Sequence, residues 1–290
     1  MSRAGFTLTA PAKVNLCLRV LGKRADGFHE IDSVFYQVSL FDTLHFRPSG
    51  TLEFSSNGLD AGPAEDNLVL KAAELLRAET GVSSGAGISL EKKIPSGAGL
   101  GGGSSDAACA LLGLCRLWDL ELPMERLHGM AEALGSDVPF FLYGPAARVG
   151  GRGEIVSPFS PCSTFHILLV KPECPVSTAW AYQSLTLTKT GENNRLSCFG
   201  DPGFDVRKVS DRLQNDFESS VFSRFPVIGE IKSQLLECGS LGAVMSGSGS
   251  TVAGLFETRG QAEAASRNFG EHWNAVVETL VERHRGLEES

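Results

Sequence analysis

The sequence predicts an α+β fold built from two domains. Segments with strand-like alternation and segments with helical periodicity follow one another along the whole chain, without an internal repeat. A length of 290 residues suits one large or two ordinary domains. The Gly- and Pro-rich stretch at 150–162 marks the best boundary. We therefore expect an N-terminal domain over residues 1–155 and a C-terminal domain over residues 156–290.

The individual elements are predicted from the spacing of apolar residues and from the turn and cap residues between them. The N-terminal half gives, in order, a strand at 6–21, a turn at 23–27, one or two strands at 29–46, a loop at 57–67, a helix at 67–80, a strand at 86–94, helices at 103–117 and 123–133, and a tight connection at 135–139. The C-terminal half gives a strand at 166–172, a short helix at 177–185, a long loop at 187–207, helices within 209–238, a strand–loop–strand unit at 242–256, a helix at 259–269 and a strand at 274–281.

Particular residues justify these bounds. Alternation in the first strand places Lys13 and Asn15 together on one face, opposite an apolar face. Asp66 is the expected N-cap of the helix at 67–80, and Gly81 is its expected C-terminal glycine. Pro123 suits the first turn of the helix at 123–133.

Composition and charge exclude several classes of protein. The chain is 42% hydrophobic and 21% charged, ordinary values for a soluble globular protein, and no apolar run is long enough for a membrane span. No apolar run follows Arg3 as it would in a secretory signal. A net charge of −8 argues against a nucleic-acid surface. The seven scattered cysteines form no C-x-x-C pair, which argues against zinc and disulfides. We expect a cytoplasmic protein that binds neither nucleic acid nor membrane.

The most informative segment is a glycine-rich loop that opens a helix. Five glycines and three serines lie within the thirteen residues from Ile94 to Asp106, and a run of small apolar residues follows. Free backbone N–H groups and the partial positive charge of a helix N-terminus bind phosphate without a lysine. No lysine occurs between Lys93 and Lys171, so the segment is not a Walker A loop. The sequence therefore predicts a phosphate site of another kind.

Two other interpretations of this loop are weaker. Gly97, Gly99 and Gly102 match G-x-G-x-x-G, but a dinucleotide site also needs an acidic residue closing a strand about 20 residues later. Asp119 and Glu121 lie near that distance at the end of a helix instead. A flexible linker does not usually join a strand to a small-residue helix.

Four segments together resemble the GHMP kinases, the superfamily of galacto-, homoserine, mevalonate and phosphomevalonate kinases. They are Pro11–Leu18, Gly27–Glu30, the glycine loop with Gly135–Phe141, and Val244–Val252, within a resemblance that spans residues 8–256. The combination of P-A-K-x-N, D-G-[YF]-H and G-A-G-L-G-G-G-S-S-D-A-A is specific to the branch that phosphorylates a cytidylylated alcohol. The resemblance implies a ribosomal-S5-like N-terminal domain, a ferredoxin-like C-terminal domain and a site in the cleft between them.

The same resemblance implies the catalytic pair. Asp137 matches the family's catalytic aspartate, which would accept the proton of the substrate hydroxyl. Lys13 matches its partner lysine, whose ammonium would keep the carboxylate ionised and stabilise developing charge. Without the resemblance, Gly135-Ser-Asp would be interpreted as a turn and Lys13 as a solvated strand residue.

The implied cofactors are ATP and Mg²⁺, because phosphoryl transfer needs the nucleotide phosphates held in line and their charge neutralised. Hydroxyls at the helix start can reach a phosphate or Mg²⁺. The residues expected to hold ATP are Pro95, Ser96, Gly97, Ala98, Gly99, Leu100, Gly101, Gly102, Gly103, Ser104 and Ser105.

The substrate residues are also assigned by resemblance. Phe28 and His29 match the pair that holds the cytosine, although the family often has Tyr at the first position, so a hydroxyl contact is lost. Tyr182 is the expected second stacking aromatic, Trp180 is the competing assignment, and simple core packing of both is an alternative. The alcohol portion is expected to contact Asn15, Gly247 and Ser248.

Other functions remain as alternatives at this point. They are another GHMP kinase without a cytosine site, a nucleotide-binding protein without catalysis, and a dinucleotide oxidoreductase. The expected partner is a small-molecule cytidylylated alcohol, and the expected assembly is a monomer or a weak homodimer.

Overall fold

Two β-sheets organise the chain in the computed structural model, which describes residues 4–63, 66–161, 163–185 and 212–282. Its strands, in chain order, are β1 Phe6–Lys23, β2 His29–Ser49, β3 Leu52–Gly58, β4 Gly85–Lys92, β5 Ala146–Gly151, β6 Ile155–Pro158, β7 His166–Lys171, β8 Gln214–Asn215, β9 Gly242–Met245, β10 Val252–Phe256 and β11 Trp273–Glu278. Its helices are α1 Leu68–Thr80, α2 Gly102–Trp118, α3 Met124–Leu134, α4 Thr178–Gln183, α5 Glu218–Arg224, α6 Pro226–Glu237 and α7 Arg259–Ser266. Short 3₁₀ turns lie at Pro139–Leu142 and Arg267–Phe269.

The first sheet has the strand order β3-β4-β2-β1-β8. The long strand β2 also pairs with β5 through its first half, and β5 pairs with β6. Strand β8 comes from the C-terminal part of the chain and pairs in parallel with β1 at Cys17 and Leu18. The C-terminal half therefore contributes a strand to the N-terminal sheet, beside the strand that carries Lys13.

The second sheet has the order β11-β7-β10-β9, with every neighbouring pair antiparallel. Helices α4 to α6 lie between β7 and β9 in sequence, and α7 lies between β10 and β11. This βαββαβ arrangement is ferredoxin-like, as the resemblance implied.

The core forms where these layers meet. Helices α1, α2 and α3 pack on the first sheet, and a second cluster of buried residues joins the two sheets. Strand β1 is consequently buried on both faces: Lys13 is 2% exposed and Asn15 is 1% exposed. The alternation correctly placed both residues on one face, but that face is covered rather than solvated.

The structure corrects several predicted details. Helix α1 is capped by Asn67, whose Oδ1 accepts a 2.9 Å hydrogen bond from the backbone N–H of Val69, rather than by Asp66. Pro123 is the N-cap of α3 rather than a residue of its first turn. Within the predicted helical region 209–238, Gln214–Asn215 form strand β8 instead of helix. The helices α5 and α6 follow it and are separated at Phe225, which precedes the proline that starts α6.

Besides β8, the three strands β3, β5 and β6 were not predicted. Strand β3 is a largely exposed edge strand with polar residues, and β5 and β6 form a glycine-rich hairpin, so none shows a strong apolar pattern. That hairpin runs through the expected boundary at 155/156, which stays a prediction. The loop expected at 187–207 lies outside the described residues.

Candidate active site

A lysine–aspartate pair lies at the centre of the candidate site. Lys13 on β1 places its Nζ 3.4 Å from Asp137 Oδ2, in the turn that follows α3. The ammonium lies 4.6 Å from the centre of the Phe35 ring. The Lys13 side chain is only 3% exposed, whereas the Asp137 side chain is 33% exposed. The pair therefore presents its carboxylate to a ligand and its ammonium to the protein.

Asn15 orients this lysine. Lys13 Nζ donates a 2.5 Å hydrogen bond to Asn15 Oδ1, and Asn15 Nδ2 donates a 3.1 Å bond to Ser33 Oγ. Ser33 Oγ in turn donates to the Cys17 carbonyl at 2.5 Å. The amide thus holds the ammonium in place from the same strand face. Its expected contact with the substrate stays a prediction.

The glycine-rich loop joins β4 to α2 beside this pair. Gly99 has φ +77°, and a Cβ there would lie 2.1 Å from the Ser246 carbonyl oxygen, so a side chain cannot fit. Ser246 Oγ donates to the Gly99 carbonyl at 2.9 Å, and the Thr251 N–H donates to the Ala98 carbonyl at 3.3 Å. The Lys13 N–H donates to the Leu100 carbonyl at 2.9 Å. The loop is therefore fixed from β1 and from the loop between β9 and β10.

The N-terminus of α2 is open for an anion. The helix begins at Gly102, and no side chain caps its first N–H groups. Ser105 Oγ is buried and has no hydrogen-bond partner among the described residues. Gly103 is exposed and Ser104 is half-buried. Unpaired N–H groups, a helix dipole and free hydroxyls at one point form an anion site.

A buried charge cluster, formed by Asp42, Lys92 and Asp106, lies behind the loop. Lys92 contacts the Asp42 carboxylate, and its Nζ lies 3.1 Å from Asp106 Oδ2. Asp42 Oδ1 also accepts hydrogen bonds from the N–H groups of Lys93 at 2.5 Å and Ile94 at 2.8 Å. The cluster connects the two ends of the loop. Burial raises the pKa of Asp106 to about 7, against the opposing effect of Lys92.

Sequence reasoning missed this cluster. Lys92 and Asp106 flank the glycine loop in sequence, but Asp42 lies 50 residues away from Lys92 on another strand. The one signal in the sequence was the position of Lys92 and Asp106 at the two ends of an apolar, glycine-rich segment, because a buried charge needs an opposite charge beside it.

At the other end of the site, His29 stacks on Tyr182 with ring centres 4.9 Å apart and planes 22° apart. Trp180, the competing candidate, packs edge-on against Phe225 instead. Burial, and then the charge of Lys23, lower the pKa of His29, which favours the neutral imidazole. Burial, and then the charge of Asp137, raise the pKa of Tyr182 to about 12. The structure therefore brings His29 together with Tyr182 and not with Trp180.

Phe28 precedes His29 in the chain and has an exposed ring. It is 49% exposed, and the guanidinium of Arg152 lies 5.0 Å from its ring centre. Arg152 Nη2 also lies 3.2 Å from Glu132 Oε1. The glycine-rich sequence around Arg152 indicated only a domain boundary. A cation over an exposed aromatic ring is the contact that reveals it as part of the rim.

The loop between β9 and β10 closes the remaining side. Ser248 Oγ lies 2.9 Å from Thr178 Oγ1 at the start of α4, and the neighbouring Gly247 is half-buried. This loop thus contacts the glycine-rich loop, β1 and α4.

Two further properties concern the described residues as a whole. No helix among them is both long and apolar enough to cross a membrane. Over the same ranges, His, Cys, Asp and Glu side chains form no group of three that could hold a metal ion.

Comparison with known proteins places this fold among the kinases. Residues 67–145 match the GHMP kinases N-terminal domain, and residues 204–275 match the GHMP kinases C-terminal domain. The crystal structure of a homoserine kinase from Cytophaga hutchinsonii has the same fold, with a TM-score of 0.72 at 19% identity over 97% of this chain and 96% of that one. The protein is thus a GHMP-type, ATP-dependent small-molecule kinase.

More similar proteins define the family within that class. A 4-diphosphocytidyl-2-C-methyl-D-erythritol kinase from Thermodesulfovibrio yellowstonii is 42% identical over 283 residues, covering 96% of this chain and 99% of that protein. The crystal structure of a 4-(cytidine 5'-diphospho)-2C-methyl-D-erythritol kinase has a TM-score of 0.77 at 33% identity, covering 94% and 99%. The chain belongs to the 4-diphosphocytidyl-2-C-methyl-D-erythritol kinase family.

Proposed function

We propose that this protein transfers the γ-phosphate of ATP to the 2-hydroxyl of 4-diphosphocytidyl-2-C-methyl-D-erythritol, giving the 2-phosphate and ADP. This reaction belongs to the non-mevalonate route to isoprenoid precursors. The observation that carries the proposal is the Lys13–Asp137 pair, held beside an uncapped helix N-terminus and a glycine-rich loop. Membership of the family supplies the substrate.

The residues divide the chemistry between them. Asp137 accepts a hydrogen bond from the attacking hydroxyl and takes its proton as the oxygen–phosphorus bond forms. Lys13 places a fixed positive charge 3.4 Å from that carboxylate, where it stabilises the negative charge that develops on the transferring group. The loop from Pro95 to Ser105 holds the leaving diphosphate through its backbone N–H groups.

The open helix start also fits Mg²⁺. The half-buried Ser104, with the buried and partnerless Ser105 hydroxyl behind it, would hold the ion at this point. The chemistry that Mg²⁺ would supply there is neutralisation of the phosphate charge.

The aromatic end of the site recognises the cytosine. The half-exposed Phe28 ring can stack on a flat base, Tyr182 supports the His29 ring from one side, and the His29 imidazole can hydrogen-bond the edge of the base. Arg152, above Phe28, contributes positive charge at the rim near the substrate diphosphate. The alcohol portion of the substrate is expected to contact Asn15, Gly247 and Ser248. The cytoplasmic location and the monomer or weak homodimer stay predictions.

The decisive test is a panel of four alcohols. Purified protein with MgATP is offered 4-diphosphocytidyl-2-C-methyl-D-erythritol, the same alcohol without the cytidine, mevalonate and homoserine, and ADP release is measured. We expect turnover only with the cytidylylated alcohol. Turnover with another alcohol alone would keep the mechanism but reassign Phe28 and His29 to packing. Binding of ATP without turnover would favour a non-catalytic role.

Removal of the base-binding side chains should affect one substrate only. We expect Phe28→Ala and His29→Ala each to raise the KM for the alcohol about 5- to 100-fold, because stacking on a base contributes about 1–3 kcal/mol. The KM for ATP should change little, since the glycine loop lies at the other end of the site. Phe54→Ala, an equivalent truncation on the edge strand β3, serves as the matched control. Equal increases in both KM values would move the cytosine site elsewhere.

A further inference from the structure

The segment Gln214–Glu218 connects the two sheets but contains none of the glycine motifs. Strand β8 pairs in parallel with β1, and α5 begins directly after it. Asp216 Oδ2 accepts a 2.8 Å hydrogen bond from the Val20 N–H on β1, and Glu218 Oε1 accepts a 2.9 Å bond from the Met245 N–H on β9. The segment is therefore fixed to both sheets, and two of its side chains reach towards the site.

The first of these two side chains is that of Asn215, which is 5% exposed. Its Nδ2 donates to the Met245 carbonyl at 2.6 Å and to the Gly247 carbonyl at 2.7 Å, while its Oδ1 accepts from the Phe217 N–H at 2.9 Å. Both donors and one acceptor position are thus occupied. Because Met245 and Gly247 flank Ser246, the amide fixes the backbone on both sides of that serine.

Ser246 in turn contacts the reacting end of the site, which consists of the Lys13–Asp137 pair and the glycine-rich loop. Its Oγ accepts a 3.2 Å hydrogen bond from the Asn15 N–H and donates a 2.9 Å bond to the Gly99 carbonyl. Asn15 in turn orients Lys13. One side chain on β8 is therefore connected through Ser246 to the lysine and to the phosphate loop.

The second side chain of this segment that reaches towards the site is that of Phe217, which is 1% exposed. Its ring meets Tyr182 edge-on, with ring centres 4.8 Å apart and planes 86° apart. Tyr182 also stacks on His29. Phe217 thus supports the aromatic end of the site from behind, two residues along the chain from Asn215.

We infer that Asn215 and Phe217 are positioning residues for opposite ends of the substrate site, Asn215 acting through Ser246 on the reacting end and Phe217 acting through Tyr182 on the base-binding end. The inference rests on the proposed function. It predicts that two changes in one short buried segment affect different kinetic constants, whereas a merely structural segment would lower both together.

The test compares Asn215→Ala with Phe217→Leu in steady-state kinetics. We expect Asn215→Ala to lower kcat about 10- to 100-fold with a small change in the KM for the alcohol, since a displacement near 1 Å costs about that much. We expect Phe217→Leu to raise that KM about 3- to 10-fold with a small change in kcat, because it removes one aromatic pair. Gln214→Ala and Phe222→Leu are matched controls in the same region.

Double-mutant cycles make the test specific. Asn215→Ala should add little to Ser246→Ala, and Phe217→Leu should add little to Tyr182→Ala, since each acts through the second residue. Asn215→Gln, which keeps an amide but displaces it, replaces Asn215→Ala if that variant does not fold, and should also lower kcat. Fully additive pairs, equal changes in both constants, or a fully active Asn215→Gln would overturn the inference. Absence of wild-type turnover would instead reject the proposed function.

Discussion

Replacement of Asp137 by asparagine is expected to lower kcat by about 10²–10⁴-fold while nucleotide binding is retained. The amide has nearly the same shape as the carboxylate, but it cannot take the hydroxyl proton or form an ion pair with Lys13, 3.4 Å away. The phosphate loop is fixed by contacts with Ser246, Thr251 and β1, none of which involves Asp137. The loss should therefore fall on the chemical step.

The measurement combines ADP release at saturating substrates with equilibrium binding of a non-hydrolysable ATP analogue. Glu121→Gln is the matched control, because it makes the same acid-to-amide change at an exposed residue. The control should retain wild-type kcat. A kcat within threefold of wild type in Asp137→Asn would show that another group accepts the proton. Loss of nucleotide binding would show that Asp137 supports the loop.

Replacement of Lys92 by methionine is expected to lower the free energy of unfolding by about 3–5 kcal/mol at pH 8. Lys92 is the cation between the carboxylates of Asp42 and Asp106, and these three side chains are at most 3% exposed. Methionine fills similar space but leaves two buried carboxylates facing each other without a counter-charge. Chemical denaturation followed by circular dichroism measures the loss.

The pH dependence of that loss has a definite sign. Burial already raises the pKa of Asp106 to about 7, and Lys92 opposes that rise, so removal of Lys92 raises this pKa further. A carboxyl group with a raised pKa in the folded state destabilises the fold as pH increases above its unfolded value near 4. The difference between variant and wild type should therefore be larger at pH 8 than at pH 6.

Lys93→Met provides a neighbouring control, because the Lys93 side chain is 55% exposed and its partner Glu91 is also exposed. An exposed pair contributes little, so this control should change stability by less than about 1 kcal/mol. Equal losses in both variants would mean that the buried cluster has no special role, and a loss independent of pH would mean that Asp106 does not titrate within it.

The sequence by itself determined the local features of this protein. The glycine-rich loop and its helix, the strand face shared by Lys13 and Asn15, and the α+β alternation follow from short-range rules of φ, periodicity and capping. The ordered set of motifs determined the family, because each motif is short but their combination is specific. Asp137 is the exception, because without that resemblance its sequence surroundings would have indicated a turn residue rather than a catalytic one.

Only the tertiary structure decided which distant residues meet. It placed Tyr182, and not Trp180, against His29, although both lie on one short helix, because rotation around α4 sends Trp180 to Phe225. It joined Asp42 to Lys92 and Asp106 in one buried cluster. It also placed Arg152 over Phe28. Finally, it brought Asn215 from the C-terminal half of the chain to the loop at Ser246. These contacts depend on sheet order and packing, which bring together residues far apart in sequence, and no local pattern contains that information.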